Sequence, residues 1–496
     1  MAKSRQQAEF GDFQTPRPLA EAVCDLLQRR GIRPAAVVEP TCGQGNLLMA
    51  ALTRFPGAKT ALGLDVNAGH LADLQAALGE SAAARAVRLV HGDFFTTDWA
   101  ALLAELPDPL LVIGNPPWVT SAELGTLASG NVPPKSNFQG HAGLDAITGK
   151  SNFDISEWML IRLLTALHGR RGTLAMLCKT AVARKLLMQA WKQDLPLRDA
   201  ALYGIDAARH FDASVEACLL VCDFQPGARA RQASVFADLD AELPRGEWGW
   251  RRGRVVADVE AFDRWSRLAA DEPDPIYVWR SGVKHDAARI MELRDVEGRW
   301  YNKRGEPVDL EPTYIYPLLK SSDIAGGRTA CPAQGMIVTQ ATIGAATDAI
   351  RAHAPKTWAY LLAHASLLDG RRSSVYRRQP RFAMFGVGDY TFAPYKVAIS
   401  GLYKKLRFEV VGSHAGKPVV FDDTVAFLAC GSRGEAQWLA GLLNSPPARE
   451  FYASLIFWDA KRPVTIDVLK RLDLRELARH CGCPGPDEGS STPAVC

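Results

Sequence analysis

Four consecutive residues, Asn115-Pro116-Pro117-Trp118, have the types and spacing to do chemistry. They follow an apolar run, Leu110 to Ile113, that reads as a buried strand. Each proline fixes φ and lacks an N–H, so the loop is stiff and its carbonyls are left free to accept hydrogen bonds. The asparagine adds a neutral acceptor, and the tryptophan adds a flat apolar face. Such a set can grip a planar amine, accept its two N–H protons and leave the nitrogen lone pair exposed. A tryptophan directly after Pro-Pro in a polar loop is poorly placed for a core, so its ring is expected to stack on the target.

A second constellation lies upstream. Glu39-Pro-Thr41-Cys-Gly43-Gln-Gly45 follows an apolar pair, Val37-Val38, and opens a helical stretch from Leu47 to Ala51. Gly43 and Gly45 permit a tight turn and close backbone approach. Asp65 ends the next strand, near the offset of about 20 residues expected of a ribose-binding carboxylate. Asp93, in His91-Gly92-Asp93-Phe94, can accept from an adenine amino group, and Phe94 can pack on the ring. A Gly-x-Gly pair alone is weak, since many are only turns. The third glycine of the dinucleotide fingerprint is missing, and a carboxylate at Glu39 would repel a pyrophosphate. It suits a cationic ligand without phosphate, so S-adenosylmethionine is favoured over NAD as cofactor.

Both constellations need a sheet to position them. Candidate strands are Val37-Val38, Ala61 to Leu64, Val87 to Val90, Leu110 to Ile113, Thr173 to Leu177, Ala200 to Tyr203 and Ala217 to Cys222. Helical-period segments separate them, among them an amphipathic stretch from Glu157 to Leu167. Seven strands with crossover helices imply a doubly wound, mostly parallel α/β sheet. Near Gln225 the texture changes, and Gln225-Pro-Gly-Ala-Arg-Ala-Arg-Gln232 reads as a domain exit. Asp271-Glu-Pro-Asp-Pro275 is a second break, and Gly- and Tyr-rich sequence with short strand-like pieces follows. The expected organisation is a catalytic domain over 1–228, a connecting segment over 229–275, a second domain over 276–480 and a disordered tail over 481–496.

At 496 residues the chain can bury several cores, and 47% hydrophobic with 23% charged residues is ordinary for a soluble protein. The net charge of +4 decides little by itself. The start of the chain is polar, so no signal peptide is expected. No run of about 18 apolar residues occurs, so no membrane span is expected. Of the ten cysteines, Cys178, Cys218, Cys222 and Cys430 sit in apolar runs and read as reduced, buried thiols of a cytoplasmic protein. Cys481-Gly-Cys483 has no second Cys/His pair nearby, so no metal site is expected.

Phe13-Gln14-Thr15-Pro16, the Glu39 to Gly45 loop, Asp65, Gly92-Asp93-Phe94 and Asn115-Pro-Pro-Trp118, in that order, resemble the N6-adenine DNA methyltransferases of restriction-modification systems. The match is to those with cofactor motifs first and a target-recognition region last, and it covers roughly residues 10–225. The resemblance implies a Rossmann-like seven-stranded AdoMet-dependent domain followed by a separate, mixed α+β target-recognition domain. It implies that Thr15 and Pro16 close one side of the cofactor pocket and that Glu39, Thr41, Gly43 and Gly45 line the methionine portion. Asp65 would hold the ribose, Asp93 and Phe94 the adenine, and Asn115 and Pro116 the target amine, with Pro117 and Trp118 completing the catalytic loop. Phe211, in His210-Phe-Asp-Ala-Ser-Val215, resembles the family's second aromatic, which sandwiches an extruded base; it is equally readable as a core phenylalanine. Tyr316 to Asp323, Leu442-Leu-Asn-Ser-Pro446 and Phe457-Trp458 are more loosely similar to stretches of the recognition domains.

Arg371 to Arg407 holds nine Lys/Arg and one acid, Asp389, with seven interleaved aromatics. Arg371, Arg372, Arg377, Arg378, Arg381, Lys404 and Lys405 are the candidates for contact with double-stranded DNA; a solvated basic face is the plainer reading. About ten residues precede the first motif, so no fused nuclease is expected, and any cognate restriction endonuclease is encoded separately. A monomer is expected. The same loop serves other planar amines, so a protein-glutamine N5 methyltransferase, an RNA guanine-N2 methyltransferase and a non-catalytic DNA-binding relict stay open as alternatives. The long region after the sheet favours the DNA enzyme.

Overall fold

Leu110, Leu111, Val112, Ile113 and Gly114 are all buried, and they form β4 at the middle of a sheet (Leu110–Gly114). The computed structural model describes residues 14–79, 87–119 and 154–483. Phe13 of the matched string and residues 484–496 of the expected tail lie outside the described residues.

Seven strands appear where the apolar runs predict them: β1 (Ala36–Glu39), β2 (Thr60–Asp65), β3 (Val87–His91), β4, β5 (Gly172–Lys179), β6 (Leu197–Ile205) and β7 (Ala217–Phe224). Their order in the sheet is β6-β7-β5-β4-β1-β2-β3. β7 runs antiparallel to both β5 and β6, while β1 pairs in parallel with both β2 and β4. The chain therefore departs from β1 in one direction to β2 and β3, then returns on the other side as β4. That switch point opens a crevice beyond the carboxyl ends of β1 and β4, where ligands of doubly wound sheets bind.

Helices α1 (Arg17–Arg29), α2 (Asn46–Arg54), α3 (Ala68–Leu78), α4 (Trp99–Ala104), α5 (Ile155–Ala166), α6 (Thr180–Lys192) and α7 (Ala207–Phe211) accompany the sheet. α5 replaces the amphipathic stretch expected over 157–167. Its first half is buried nearly all round, from Ile155 to Leu160, so no polar face is presented there.

The connecting segment expected over 229–275 is corrected by the structure. Residues 232–256 continue the sheet as β8 (Gln232–Phe236), β9 (Gly246–Arg251) and β10 (Arg254–Val256), giving ten strands. β8 pairs in parallel with β6, and Phe236 stacks on Tyr203 at 4.4 Å between ring centroids. The physical reason is the bare edge of β6, whose unpaired N–H and C=O groups are satisfied by another strand. The Pro- and Gly-rich stretch before β8 is a turn, not an exit. Residues 260–275 also belong to structure: Ala270 N–H donates to Arg471 and Asp473 N–H to Leu268, and Phe262 packs on Phe451.

The chain divides into two units, Met1–Val259 and Glu260–Cys496. The second holds a six-stranded and a four-stranded sheet, both mixed with helices, as an α+β pattern predicts. In it Glu292 is buried among Lys303, Lys320 and His285, with Lys320 also reaching Asp422. Burial works to raise the Glu292 pKa, but hydrogen bonds from His285, Lys303 and Lys320 prevail and hold it at about 2. The Leu442-Leu-Asn-Ser stretch ties two segments together, since Asn444 accepts from Phe408 N–H at 3.1 Å and donates to the Phe408 carbonyl at 2.8 Å. The helix Leu474–Cys481 runs into the expected tail, and Gly482 terminates it with φ +66°. No helix among the described residues is long and apolar enough to cross a membrane.

Candidate functional site

Four loops leave the carboxyl ends of β1, β2, β3 and β4 and enclose a cavity of about 500 Å³. That is the size class of a small-molecule or cofactor site. Thr15, Glu39, Thr41, Gly43, Asp65, Asp93, Phe94, Asn115 and Pro117 line it, so most residues named from sequence converge. Pro16, Gly45, Pro116, Trp118 and Phe211 are not among its lining residues.

The glycine loop is built by backbone needs. Gly43 and Gly45 adopt φ of +49° and +77°, the left-handed region that favours glycine. A Cβ on Gly45 would meet Leu74 Cδ1 at 2.3 Å, so α3 packs directly on that backbone. Gly45 caps α2 with no side-chain acceptor. Glu39 takes that role from the end of β1, accepting the Leu48 N–H at 2.9 Å. Pro16 starts α1, and its carbonyl accepts from Ala20. Gln14 and Thr15, just before it, lie over the loop: Gln44 N–H donates to Gln14 Oε1 at 3.0 Å, and Asn46 Nδ2 donates to the Thr15 carbonyl at 2.9 Å.

Asp65 is partly committed. Its Oδ2 accepts from Gly43 N–H and its Oδ1 from Asn67 N–H, each at 2.8 Å. A carboxylate has about four acceptor positions, so these two bonds leave capacity for further donors, and the His70 Nδ1 lies 3.9 Å from Oδ1. Asp93 accepts from Phe95 N–H at 2.8 Å. Phe94 packs on Trp99 at 4.8 Å, and the Trp99 indole N–H holds the Phe94 carbonyl. Phe95, His70, His91 and Met159 also line the cavity, and sequence reasoning missed them. Phe95 adjoins the Asp93-Phe94 pair and could have been found; Met159 arrives on α5, far away in sequence.

Two observations test whether S-adenosylmethionine fits. The Thr41 Oγ1 is buried with no hydrogen-bond partner among the described residues, and Thr41 lines the cavity. A buried hydroxyl without a partner costs free energy that a ligand's polar group restores. Glu39 is only 3% exposed, and burial raises its pKa well above the carboxylate range; Leu48 N–H opposes this and Asp65 adds to it. A cation is the ligand that relieves such a group. The residues present fit the cofactor.

Trp118 is a correction. It is 7% exposed and belongs to the core, where its indole N–H donates to the Leu177 carbonyl at 3.4 Å. Phe211 meets it edge to face at 5.0 Å, so the two rings are in contact and no slot separates them. Phe211 is 6% exposed and belongs to the same core cluster as Trp118. The reason is the apolar wall of β5 beside the loop, which buries the indole that the local polar sequence left exposed.

The basic stripe also divides. Arg371 is a latch: its guanidinium donates to the carbonyls of Leu368 and Ala383, both at 2.7 Å, and lies 3.7 Å over the Tyr376 ring. Arg381 pairs with Asp369 at 2.9 Å. Lys396, counted among the nine, is buried, donates to the Ala393 and Val419 carbonyls, and is lowered by burial to about 7. Arg372, Arg377, Arg378, Lys404 and Lys405 are exposed.

No family model matches the sequence. The chain is 44% identical over 481 residues to the Type II methyltransferase M.NspV of Nostoc sp. (strain ATCC 29411 / PCC 7524), covering 96% of this chain and 98% of that protein. Its fold is similar to the Type IIL restriction-modification enzyme MmeI, solved in complex with DNA, with a TM-score of 0.53 and 12% identity. That likeness covers 93% of this chain, which spans 65% of the length of that one. A type I restriction-modification methyltransferase subunit from Streptococcus thermophilus matches 45% of this chain and 46% of its own at a TM-score of 0.30 and 17% identity.

Proposed function

The chain belongs to the Type II methyltransferases of restriction-modification, with S-adenosylmethionine as cofactor, and from that premise we propose that it methylates N6 of adenine in double-stranded DNA. The observation that carries the choice of target is Asn115 at the edge of the cofactor cavity, at the carboxyl end of β4. An amide oxygen there, with the Pro116 carbonyl next to it, can accept both protons of an exocyclic amine.

The bound cofactor supplies an electrophilic methyl group on a cationic sulfur. Adenine N6 is a poor nucleophile because its lone pair is delocalised into the ring. Asn115 and Pro116 accept its two protons and draw the nitrogen toward a tetrahedral, electron-rich state. They then stabilise the positive charge that develops on it. No enzyme nucleophile is required, and the proton released after transfer is acidic enough to leave without a strong base.

The target must leave the duplex, at a cost of a few kcal/mol. Stacking of an extruded base on an aromatic ring returns about 1–3 kcal/mol. The exposed Arg372, Arg377, Arg378, Lys404 and Lys405 are the charges left to neutralise phosphates. A separately encoded restriction endonuclease of the same recognition sequence is the expected counterpart.

Sequencing that detects modified bases, on DNA from cells expressing the chain, tests the reading. N6-methyladenine in one sequence context is the expected result. N4-methylcytosine, or methyl label in protein or RNA alone, would overturn it.

A further inference from the structure

Lys179, the last residue of β5, has no part in the cofactor cavity, yet it holds both ends of the segment that follows the Asn115–Trp118 loop. Its ammonium donates to the Trp118 carbonyl at 3.0 Å and to Asp154 Oδ2 at 2.6 Å. Trp118 precedes residues 120–153 in the chain, and Asp154 follows them. The other Asp154 oxygen accepts Ser156 N–H at 3.0 Å and so caps α5, while Ile155 N–H donates to the Val119 carbonyl at 2.9 Å. The ion pair is mostly screened from water, with the side chains of Lys179 and Asp154 at 23% and 10% exposure. A second contact from the same strand, Leu177 carbonyl to the Trp118 indole, fixes the ring.

We propose that Lys179 is a positioning residue for methyl transfer: paired with Asp154, it tethers the Trp118 carbonyl and thereby sets where the Asn115 amide and Pro116 carbonyl meet the target amine. The tether transmits because only Pro116 and Pro117 lie between Asn115 and Trp118, and each has a fixed φ. One end of the loop is set by the β4–β5 register, in which Gly114 stands opposite Met176. The other is set by Lys179. The pairing with Asp154 also matters for charge. A bare ammonium near an amine that becomes cationic would oppose the reaction; a carboxylate at 2.6 Å neutralises it. A lysine suits the position because its compact ammonium has three donors for acceptors in different directions.

The inference rests on the amine-transfer reading of Asn115. The full-length protein and its Lys179→Met and Lys179→Arg variants are compared in single-turnover methyl transfer, cofactor binding by equilibrium dialysis, and amide exchange at Ile155. A misplacement of about 1 Å costs on the order of 10²-fold in rate, so Lys179→Met should transfer roughly 10- to 100-fold slower at unchanged cofactor affinity. Ile155 should exchange faster. Lys179→Arg keeps a cationic donor and should recover most of the loss. Asp154→Asn retains a helix-capping acceptor and should be slowed like Lys179→Met; it carries the comparison if the methionine variant does not fold. A wild-type rate in Lys179→Met overturns the proposal. So does a rate loss that arginine does not relieve, or one accompanied by weakened cofactor binding and lost protection throughout the sheet. If the wild type methylates a base other than adenine, the adenine reading fails while the variant ratios still decide the role of Lys179. If it methylates nothing, unchanged exchange at Ile155 overturns the tether.

Discussion

Buried at the end of β1, the Glu39 carboxyl faces a cavity it shares with Asp65 and Cys42. Burial raises its pKa well above the carboxylate range, Leu48 N–H lowers it, and Asp65 raises it further. Without a cation the group keeps its proton to higher pH than an exposed glutamate. A sulfonium or ammonium beside it favours the anion, so its pKa falls on binding. Cofactor uptake below the raised pKa therefore releases a proton, and affinity increases with pH until the unliganded carboxyl itself ionises. Calorimetry in two buffers of different ionisation enthalpy should show that release, and Glu39→Gln should abolish it. Proton uptake, or the same release in the glutamine variant, contradicts the assignment. Asn115→Ala should keep cofactor affinity and lower single-turnover methyl transfer by about 10²–10³, the range for one preorganised transition-state partner. A rate near wild type would remove Asn115 from the chemistry.

At the scale of elements, the strands near the site were legible and the strands at the edge were not. β1, β2, β4 and β5 are apolar runs ending in or just before Glu39, Asp65, Asn115 and Lys179, and a buried strand needs little more than such a run; β3 is an edge strand whose Val87, Leu89 and Val90 are only partly buried. β8 to β10 are short and interrupted by turn residues, so their sequence resembles a linker; pairing with β6 makes them strands. The basic stripe has the same ambiguity. Composition counts charges but cannot see that Arg371 satisfies carbonyls or that Lys396 lies inside a sheet. Arg371→Ala should therefore destabilise the protein by about 1–3 kcal/mol through buried carbonyls left unpaired. Thermal melting reads this. A melting temperature equal to wild type, with weakened DNA binding, would return Arg371 to the DNA surface.

For the whole molecule, the residues lining the cavity at the ends of β1 to β4 lie in the first unit and the exposed Arg377 and Arg378 in the second. Reversing both charges, Arg377→Glu with Arg378→Glu, should weaken DNA binding and flatten its dependence on salt. Each lost phosphate contact lowers the slope of log affinity against log salt by about 0.9. Cofactor affinity should not change. Fluorescence anisotropy across a salt series measures the first, and equilibrium dialysis the second. An unaltered slope would place the DNA-facing charges elsewhere.

The sequence alone determined the doubly wound sheet, the glycine loop and the convergence of Glu39, Asp65, Asp93 and Asn115. These are short-range matters: apolar runs make strands, glycines make turns, and strand ends in such a sheet share one edge. Tertiary structure decided the rest. It placed Trp118 against Phe211, brought Met159 to the cavity, joined Lys179 to Trp118 and to Asp154, which stand on either side of residues 120–153, and turned Arg371 inward. Each of these depends on a neighbour distant in the chain. Whether a side chain faces water or a carbonyl is settled by what packs against it, and local sequence does not contain that partner.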